Sequence, residues 1–454
     1  MPILRLLALL GILPAFAAEP LRIATFRADV TPPIGSPLCC DGGVKPAAKI
    51  VDPLSARGVI LFLSPKPVVL AAVDWTGISN EGWDEWRAEL AKAAGTDADH
   101  VTVNTLHQHD APEYDPAADR LLESVGLGGR LYNRAFARLA LERTAAAVRA
   151  AARNPLPVTH LGLGQAKVEK VASSRRVLGP DGKVKYSRMS SSTNPEARAA
   201  PEGVVDPYVR AVSFWRGTQP LAVITYYATH PQSYYGEGGV SADFVGMARA
   251  LREKDQPGVA FIHFNGAGGN VAAGKYNDGS PEVRPVLARR LAAGMKAAFG
   301  STVRTPIHAG DAGWRVLPVL LPPSKSLEDQ DRLRKLMADE SQKQRLRLRT
   351  SHDLNWVLRC QAKHRIPLFL LTLGPAAVLY MPGELFVEYQ LAAQQMRPGR
   401  FVAMAAYGDY GPGYVGTRIS YTQGGYETGP VSRTDPGVED VLMGAMRRLL
   451  EPGR

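Results

Sequence analysis

Strand-like apolar runs and amphipathic helical stretches alternate along the whole chain, and this alternation limits the fold more than any other feature. The apolar runs are Val59–Leu63, Val68–Val73, Val101–Asn104, Leu221–Tyr227, Val259–Phe264, Leu368–Leu373, Ala376–Tyr380 and Phe401–Ala405. The helical stretches are Trp83–Ala94, Arg134–Ala152, Asp243–Lys254, Pro285–Phe299, Leu327–Gln361, Leu385–Met396 and Val438–Leu450. Interleaved in this order, they predict an α/β fold with a mixed β-sheet core flanked by helices on both sides. No Pro/Ser-rich linker divides the chain and no internal repeat is evident, so residues 18–454 are expected to form one catalytic domain. Two segments stand out from the pattern. Residues 171–206 are rich in Ser, Arg, Pro and Gly without apolar periodicity, and a loop that long is usually functional or mobile. Residues 325–362 form a charged helical insertion.

The first residues have a separate purpose. One Arg (Arg5), an apolar run from Leu6 to Phe16 and the small-x-small triplet Ala15-Phe16-Ala17 predict a signal peptide over 1–17. The run is too short to span a bilayer and no later stretch is long enough, so a secreted or periplasmic protein is expected. The net charge of +11 comes from 54 Lys and Arg against 43 Asp and Glu. Its densest basic stretch, Arg332 to Arg365, interleaves with Glu, Asp and Gln, as on a solvated helix face. No nucleic-acid partner is expected, and contact with an anionic surface or substrate stays open. Export permits a disulfide between Cys39 or Cys40 and Cys360, since vicinal cysteines rarely bond each other.

Chemistry-bearing residues collect just past the apolar runs, where α/β proteins place their sites. His107-Gln108-His109 follows Val101–Asn104, and on an extended segment its two imidazoles share one face. His230 follows Leu221–Tyr227, and Glu384 stands where a strand turns into a helix. Each has an ordinary alternative: a strand-terminal His bonded to a carbonyl, or a carboxylate favoured by a helix dipole. Residues 407–414 form a Tyr/Gly segment that continues to Tyr421 and Tyr426. The turn Asn265-Gly266-Ala267-Gly268-Gly269-Asn270 lets backbone N–H groups approach an oxyanion, but lacks the endings of nucleotide-binding loops.

In combination and order these motifs resemble the neutral/alkaline ceramidase superfamily, specifically its short secreted bacterial members. Ala28-Asp29-Val30-Thr31-Pro32-Pro33-Ile34-Gly35 is similar to the family's opening motif, and His107-Gln108-His109-Asp110-Ala111-Pro112 to its H-x-H segment. His230-Pro231, Pro382-Gly383-Glu384 and Gly413-Tyr414 match its later signature points, so the resemblance runs to about Pro430. It implies a zinc (Zn2+) hydrolase whose metal is held by His107, His230, Glu384 and Tyr414. It further implies that His109 faces the substrate, that Tyr426 is the additional active-site tyrosine, and that Arg175 (or Arg176) contacts substrate. Zinc would lower the pKa of bound water and polarise the carbonyl of an amide or ester. His109 and the Gly266–Gly269 turn are candidates for holding the oxyanion, His109 or Tyr426 for protonating the leaving group, and Asp110 and Asp243 for partnering the imidazoles.

The sequence departs from the family in two places. Ala272 and Asn270 occupy positions where ceramidases carry a catalytically assigned Ser and an Asp, so a serine-dependent route is excluded there. True ceramidases continue into an immunoglobulin-like domain, whereas this sequence ends at Arg454. The implied substrate is a small-molecule or lipid amide, with possible peripheral contact at a membrane surface. Arg175, Arg176 and the tyrosines 226, 227, 234 and 235 suit a polar amide, ester or glycan derivative as well as a lipid head. A secreted binding protein on the same fold is the third reading.

Overall fold

The computed structural model describes residues 19–40 and 45–451; the expected signal peptide lies outside them. Among the described residues, three sheets of four or five strands carry the architecture. The first contains Leu21–Asp29, Ser55–Phe62, Val68–Val73 and Val101–Thr105, with Leu156–Val158 at its edge. The second contains His160–Lys167, Tyr208–Arg216, Gln219–Tyr227 and Ala260–Asn265, with Val303–Pro306 at its edge. The third contains Ala312–Val319, Ile366–Leu373, Ala376–Tyr380 and Phe401–Ala405. The fold is α/β with mixed sheets, as the alternation predicts, but the core is divided among three sheets.

These sheets share one connectivity. In each, the first three strands run antiparallel in sequence order and the fourth lies parallel to the third. A helix makes each parallel crossover, as parallel pairing requires: Glu81–Ala94, Asp243–Asp255 and Val387–Met396. A second helix then returns to pack on the first strand: Arg134–Ala151, Val283–Gly300 and Val438–Leu450. The chain is therefore three successive βββαβα units, a repeat of topology that the sequence does not display.

Both segments that break the sequence pattern occupy the same place in this scheme, between the first and second strands of their units. In the second unit, 168–207 is not featureless. It carries short strands at Ser173–Ser174, Arg176–Leu178 and Val184–Ser187. The buried Arg188 guanidinium pins it by donating to the carbonyls of Ser174, Ala197, Ala200, Pro201 and Glu202. In the third unit, the expected single long helix is two, Gln330–Ala338 and Gln344–Gln361.

Alternation along the second sheet assigns its two faces. Val212, Phe214, Ile224, Tyr226, Ile262 and Phe264 join a core shared with the other sheets. Val209, Ala211, Val223 and Phe261 pack with Phe244, Leu287 and Leu291 of that unit's own helices. Across the shared core the Tyr226 and Tyr380 hydroxyls meet at 3.0 Å, joining the second and third sheets. A ring of hydrogen bonds links the fourth strands at their C-terminal ends. The Thr105 N–H donates to Tyr407 O, the Ala406 N–H to Asn265 O, and Asn265 Nδ2 to Leu106 O.

Candidate metal centre

The strand ends tied together in this way deliver three side chains to one point, one from each unit. His107 lies two residues past the fourth strand of the first unit. His230 follows the third strand of the second, and Glu384 the third strand of the third. All three are buried, and Glu384 Oε2 lies 3.2 Å from Nε2 of His107 and 2.8 Å from Nε2 of His230. The other imidazole nitrogens face carbonyls: His107 Nδ1 is 2.8 Å from Thr76 O, and His230 Nδ1 is 2.6 Å from Gly268 O. A carbonyl only accepts, so each Nδ1 carries the proton and each Nε2 keeps its lone pair for the centre.

Local backbone makes this convergence possible. His107 is held at φ 64°, a left-handed conformation uncommon outside glycine, with its N–H bonded to Trp75 O. Glu384 and Tyr414 are paired directly across two short parallel strands, and each follows a glycine with positive φ, Gly383 or Gly413. A Cβ on Gly383 would lie 2.7 Å from Gly413 O, and one on Gly413 would lie 2.5 Å from Val431 O. Any side chain there would push the two chain segments apart.

Tyr414 joins the cluster: its hydroxyl is 3.1 Å from His230 Nε2 and 2.8 Å from the Arg175 guanidinium. Tyr410, which the sequence reading did not single out from its Tyr/Gly segment, donates to Glu384 Oε1 at 2.7 Å. Tyr407 stacks on His107 with ring centroids 4.9 Å apart. Arg175 is buried against Tyr414, with Nε 3.0 Å from Glu427 Oε1. Glu427 gives no signal in the sequence, yet it balances two guanidiniums, since its other oxygen is 3.2 Å from Arg176. Arg176 is directed away from the centre, to Glu427 and the Ser420 carbonyl.

The electrostatics suit a cation. Burial opposes ionisation of Glu384, but the two imidazoles, His107 foremost, outweigh it and hold the carboxylate well below the ordinary range. Burial keeps His230 below its usual value, which favours the neutral ligand form. His107 Nε2 and Glu384 Oε2 are buried without a hydrogen-bond partner, a costly arrangement that a shared metal ion would relieve. Two imidazoles, a carboxylate and an adjacent phenol form a donor set for a divalent ion such as zinc.

His109 lines the cavity beside this cluster. Its ring lies 5.2 Å from that of His107 and 4.6 Å from that of Tyr235, and its Nδ1 is 3.4 Å from Cys40 Sγ. Burial, reinforced by His107 and His230, holds its pKa well below the usual imidazole value. Tyr426 also lines the cavity, is 44% exposed, and meets Tyr414 edge-on at 5.8 Å.

Several expectations are corrected here. Cys39 and Cys40 bond each other and Cys360 is free, so the pairing with Cys360 does not occur. Asp110 and Asp243 do not reach the imidazoles. Asp110 accepts from the Gly236 N–H, Asp243 from Ser233 and the Phe244 N–H at its helix start, and Arg284 approaches both carboxylates. The glycine turn offers no oxyanion hole through Gly266, Ala267 or Gly269, whose N–H groups bond Tyr227 O, Gln390 Oε1 and Leu385 O. It serves close packing and the Gly268 carbonyl. Of the four tyrosines grouped in the sequence, Tyr226 and Tyr227 are core and only Tyr235 reaches the cavity. Ala272 is buried in a strand pair opposite Ser173, and Asn270 bonds Glu388 and the Val387 N–H.

No family model matches the chain, and no curated protein matches it in sequence. Solved structures that share its fold include two ceramidases. One is a ceramidase complexed with C2, 15% identical with a TM-score of 0.67; the match covers 95% of this chain and 75% of that one. The other is the neutral ceramidase from Pseudomonas aeruginosa, 15% identical with a TM-score of 0.68, covering 95% and 74%. The chain thus has the fold that the H-x-H, P-G-E and G-Y motifs imply. Among the described residues no helix is long and apolar enough to cross a membrane.

Proposed function

We propose that this chain is an exported, zinc-dependent hydrolase of the neutral ceramidase type that cleaves an amide (N-acyl) bond, with residues 18–454 as its catalytic domain. The observation that carries this reading is the convergence of His107 Nε2, His230 Nε2 and Glu384 Oε2, each imidazole proton committed to a backbone carbonyl. His107, His230, Glu384 and Tyr414 hold the ion. When bound, zinc supplies Lewis acidity toward a carbonyl and a nucleophilic water at neutral pH.

The chain's own groups do the rest. Arg175, neutralised by Glu427, sits 2.8 Å from the Tyr414 hydroxyl and favours its ionised form against the burial that raises its pKa. Tyr410 holds the second oxygen of Glu384 and so fixes the carboxylate plane. His109, neutral because it is buried, has a free face on the cavity from which to donate to a developing oxyanion. Tyr426 has its phenol at the cavity wall and is the candidate proton donor to the leaving nitrogen.

The test is metal content on the purified protein beside a His107→Ala/His230→Ala double variant, followed by N-acyl amide hydrolysis with and without added zinc. About one ion per chain, absent from the folded variant, with zinc-dependent hydrolysis, is the expected result. A wild type that neither retains nor binds zinc would overturn the reading.

A further inference from the structure

One stretch of the cavity wall beside the candidate metal centre is cationic. The cavity has a volume of about 490 Å³, within the range of small-molecule sites. Lys343, Arg345, Leu346 and Arg349 line it from the start of helix Gln344–Gln361. Positions 345 and 349 are one helical turn apart on the same face, so the two guanidiniums follow each other along the wall. The 18-residue helix has no side-chain cap at its N-terminus, so its positive end adds to the same field.

Basic residues near this wall have their bonds inside the protein, whereas these three cations have no ion-pair partner among the described residues. Arg359 pairs with Asp84, Arg433 with Asp353, and Arg347, between the two, turns inward to the carbonyls of Met337 and Val125. Among the described residues no ion pair engages Lys343, Arg345 or Arg349, and Arg349 Nε is buried without a hydrogen-bond partner. Of the carboxylates that line the cavity, Glu384 is committed to the imidazoles and Tyr410, and Glu113 is buried in the short strand Glu113–Tyr114. Arg349 and Leu346 also line an adjoining cavity of about 610 Å³, so Arg349 stands at the boundary between the two. Leu346 and Val431 are the aliphatic residues of the inner cavity, a small apolar wall for a long hydrocarbon chain.

We infer that the substrate is an N-acyl amide bearing an oxyanion, held by Arg345 and Arg349 with Lys343 at the rim while the amide carbonyl reaches the metal ligands. Guanidiniums match carboxylate and phosphate oxygens by charge-assisted, often bidentate, hydrogen bonds. This inference rests on the hydrolase reading for the position of the amide, but the anion subsite is testable without turnover.

The experiment is calorimetric titration of the zinc-loaded and zinc-free protein with N-acetyl-L-glutamate, N-acetyl-O-phosphoserine and the uncharged diamide of the first. Each is measured in wild type, R345Q/R349Q and R345K/R349K. Wild type should bind at least one anion about tenfold or more tightly than the diamide. That ratio should collapse in the Gln variant and persist in part in the Lys variant, with and without zinc. The two anions separate a carboxylate site from a phosphate site. Equal affinity for anion and diamide, or a preference unchanged in R345Q/R349Q, overturns the inference; if that preference is confined to the zinc-loaded protein, the metal rather than the guanidiniums catches the anion. Anion binding that obeys the expected pattern without any hydrolysis of matched N-acyl substrates would leave this subsite standing and sink the hydrolase reading instead.

Discussion

Glu384 Oε2 sits 2.8 Å from His230 Nε2 while the other oxygen of the same carboxylate accepts from Tyr410. The two oxygens thus have separate partners, one facing the imidazoles of the candidate metal centre and one held by a phenol. Tyr410→Phe removes one hydroxyl and keeps the ring. Loss of such an outer partner should weaken zinc affinity or activity by about 10- to 100-fold. Competitive titration with a chelating indicator checks this; unchanged affinity and rate would show that Tyr410 does not orient the ligand.

Glu427 is fully buried between Arg175 and Arg176. Glu427→Gln leaves two buried guanidiniums without a counter-charge, and breaking a buried pair in this way costs about 3–5 kcal/mol. Denaturant unfolding should show that loss. Zinc affinity should fall as well, because Arg175 would then repel the ion without Glu427 to balance it.

The thiols can be counted. With Cys39–Cys40 closed and the Cys360 thiol pushed up to about 12 by burial, the folded protein should resist alkylation at neutral pH. Mass spectrometry should find one alkylated cysteine after denaturation and three after denaturation with reduction. A Cys360 that is protected in the denatured, unreduced chain would contradict the vicinal bridge.

His263 predicts an acid limb for stability. It is fully buried, its Nε2 has no hydrogen-bond partner, and its Nδ1 lies 2.8 Å from Thr225 Oγ1. Burial, with the Arg249 charge adding to it and Asn265 and Asp74 partly opposing, lowers its pKa to about 3. The unfolded chain takes up the proton near pH 6.5, so between 6.5 and 3 it binds more protons than the folded one. The stabilisation is therefore full above pH 6.5 and is lost as pH falls toward 3, at about 1.4 kcal/mol per unit. His263→Gln should flatten the dependence of Tm on pH in that window; a parallel curve would assign the limb to other groups.

The sequence was legible where burial is two-sided. Val68–Val73, Ala376–Tyr380 and Phe401–Ala405 are continuous apolar runs buried along nearly their whole length, and the ends of each run coincide with the ends of the strand. The strands that escaped notice include the first strand of every unit. Leu21–Asp29 and His160–Lys167 alternate or mix exposed and buried residues without an apolar run, and Ala312–Val319 is mostly half-exposed with its apolar stretch interrupted by Pro318. Without the first strands the threefold topology could not be counted. The grouping of His107, His230, Glu384 and Tyr414 followed only from the resemblance of their short motifs, in combination and order, to those of the ceramidase superfamily. Glu427, Thr76 and Gly268 act through a single carboxylate or a backbone carbonyl, which leaves no pattern in the residues around them.

All three βββαβα units reach the candidate metal centre, His107 from the first, His230 from the second and Glu384 with Tyr414 from the third, so no single unit carries the cluster whole. The first unit supplies only His107 and the second only His230, so the His/His/Glu cluster is complete only once all three units have docked.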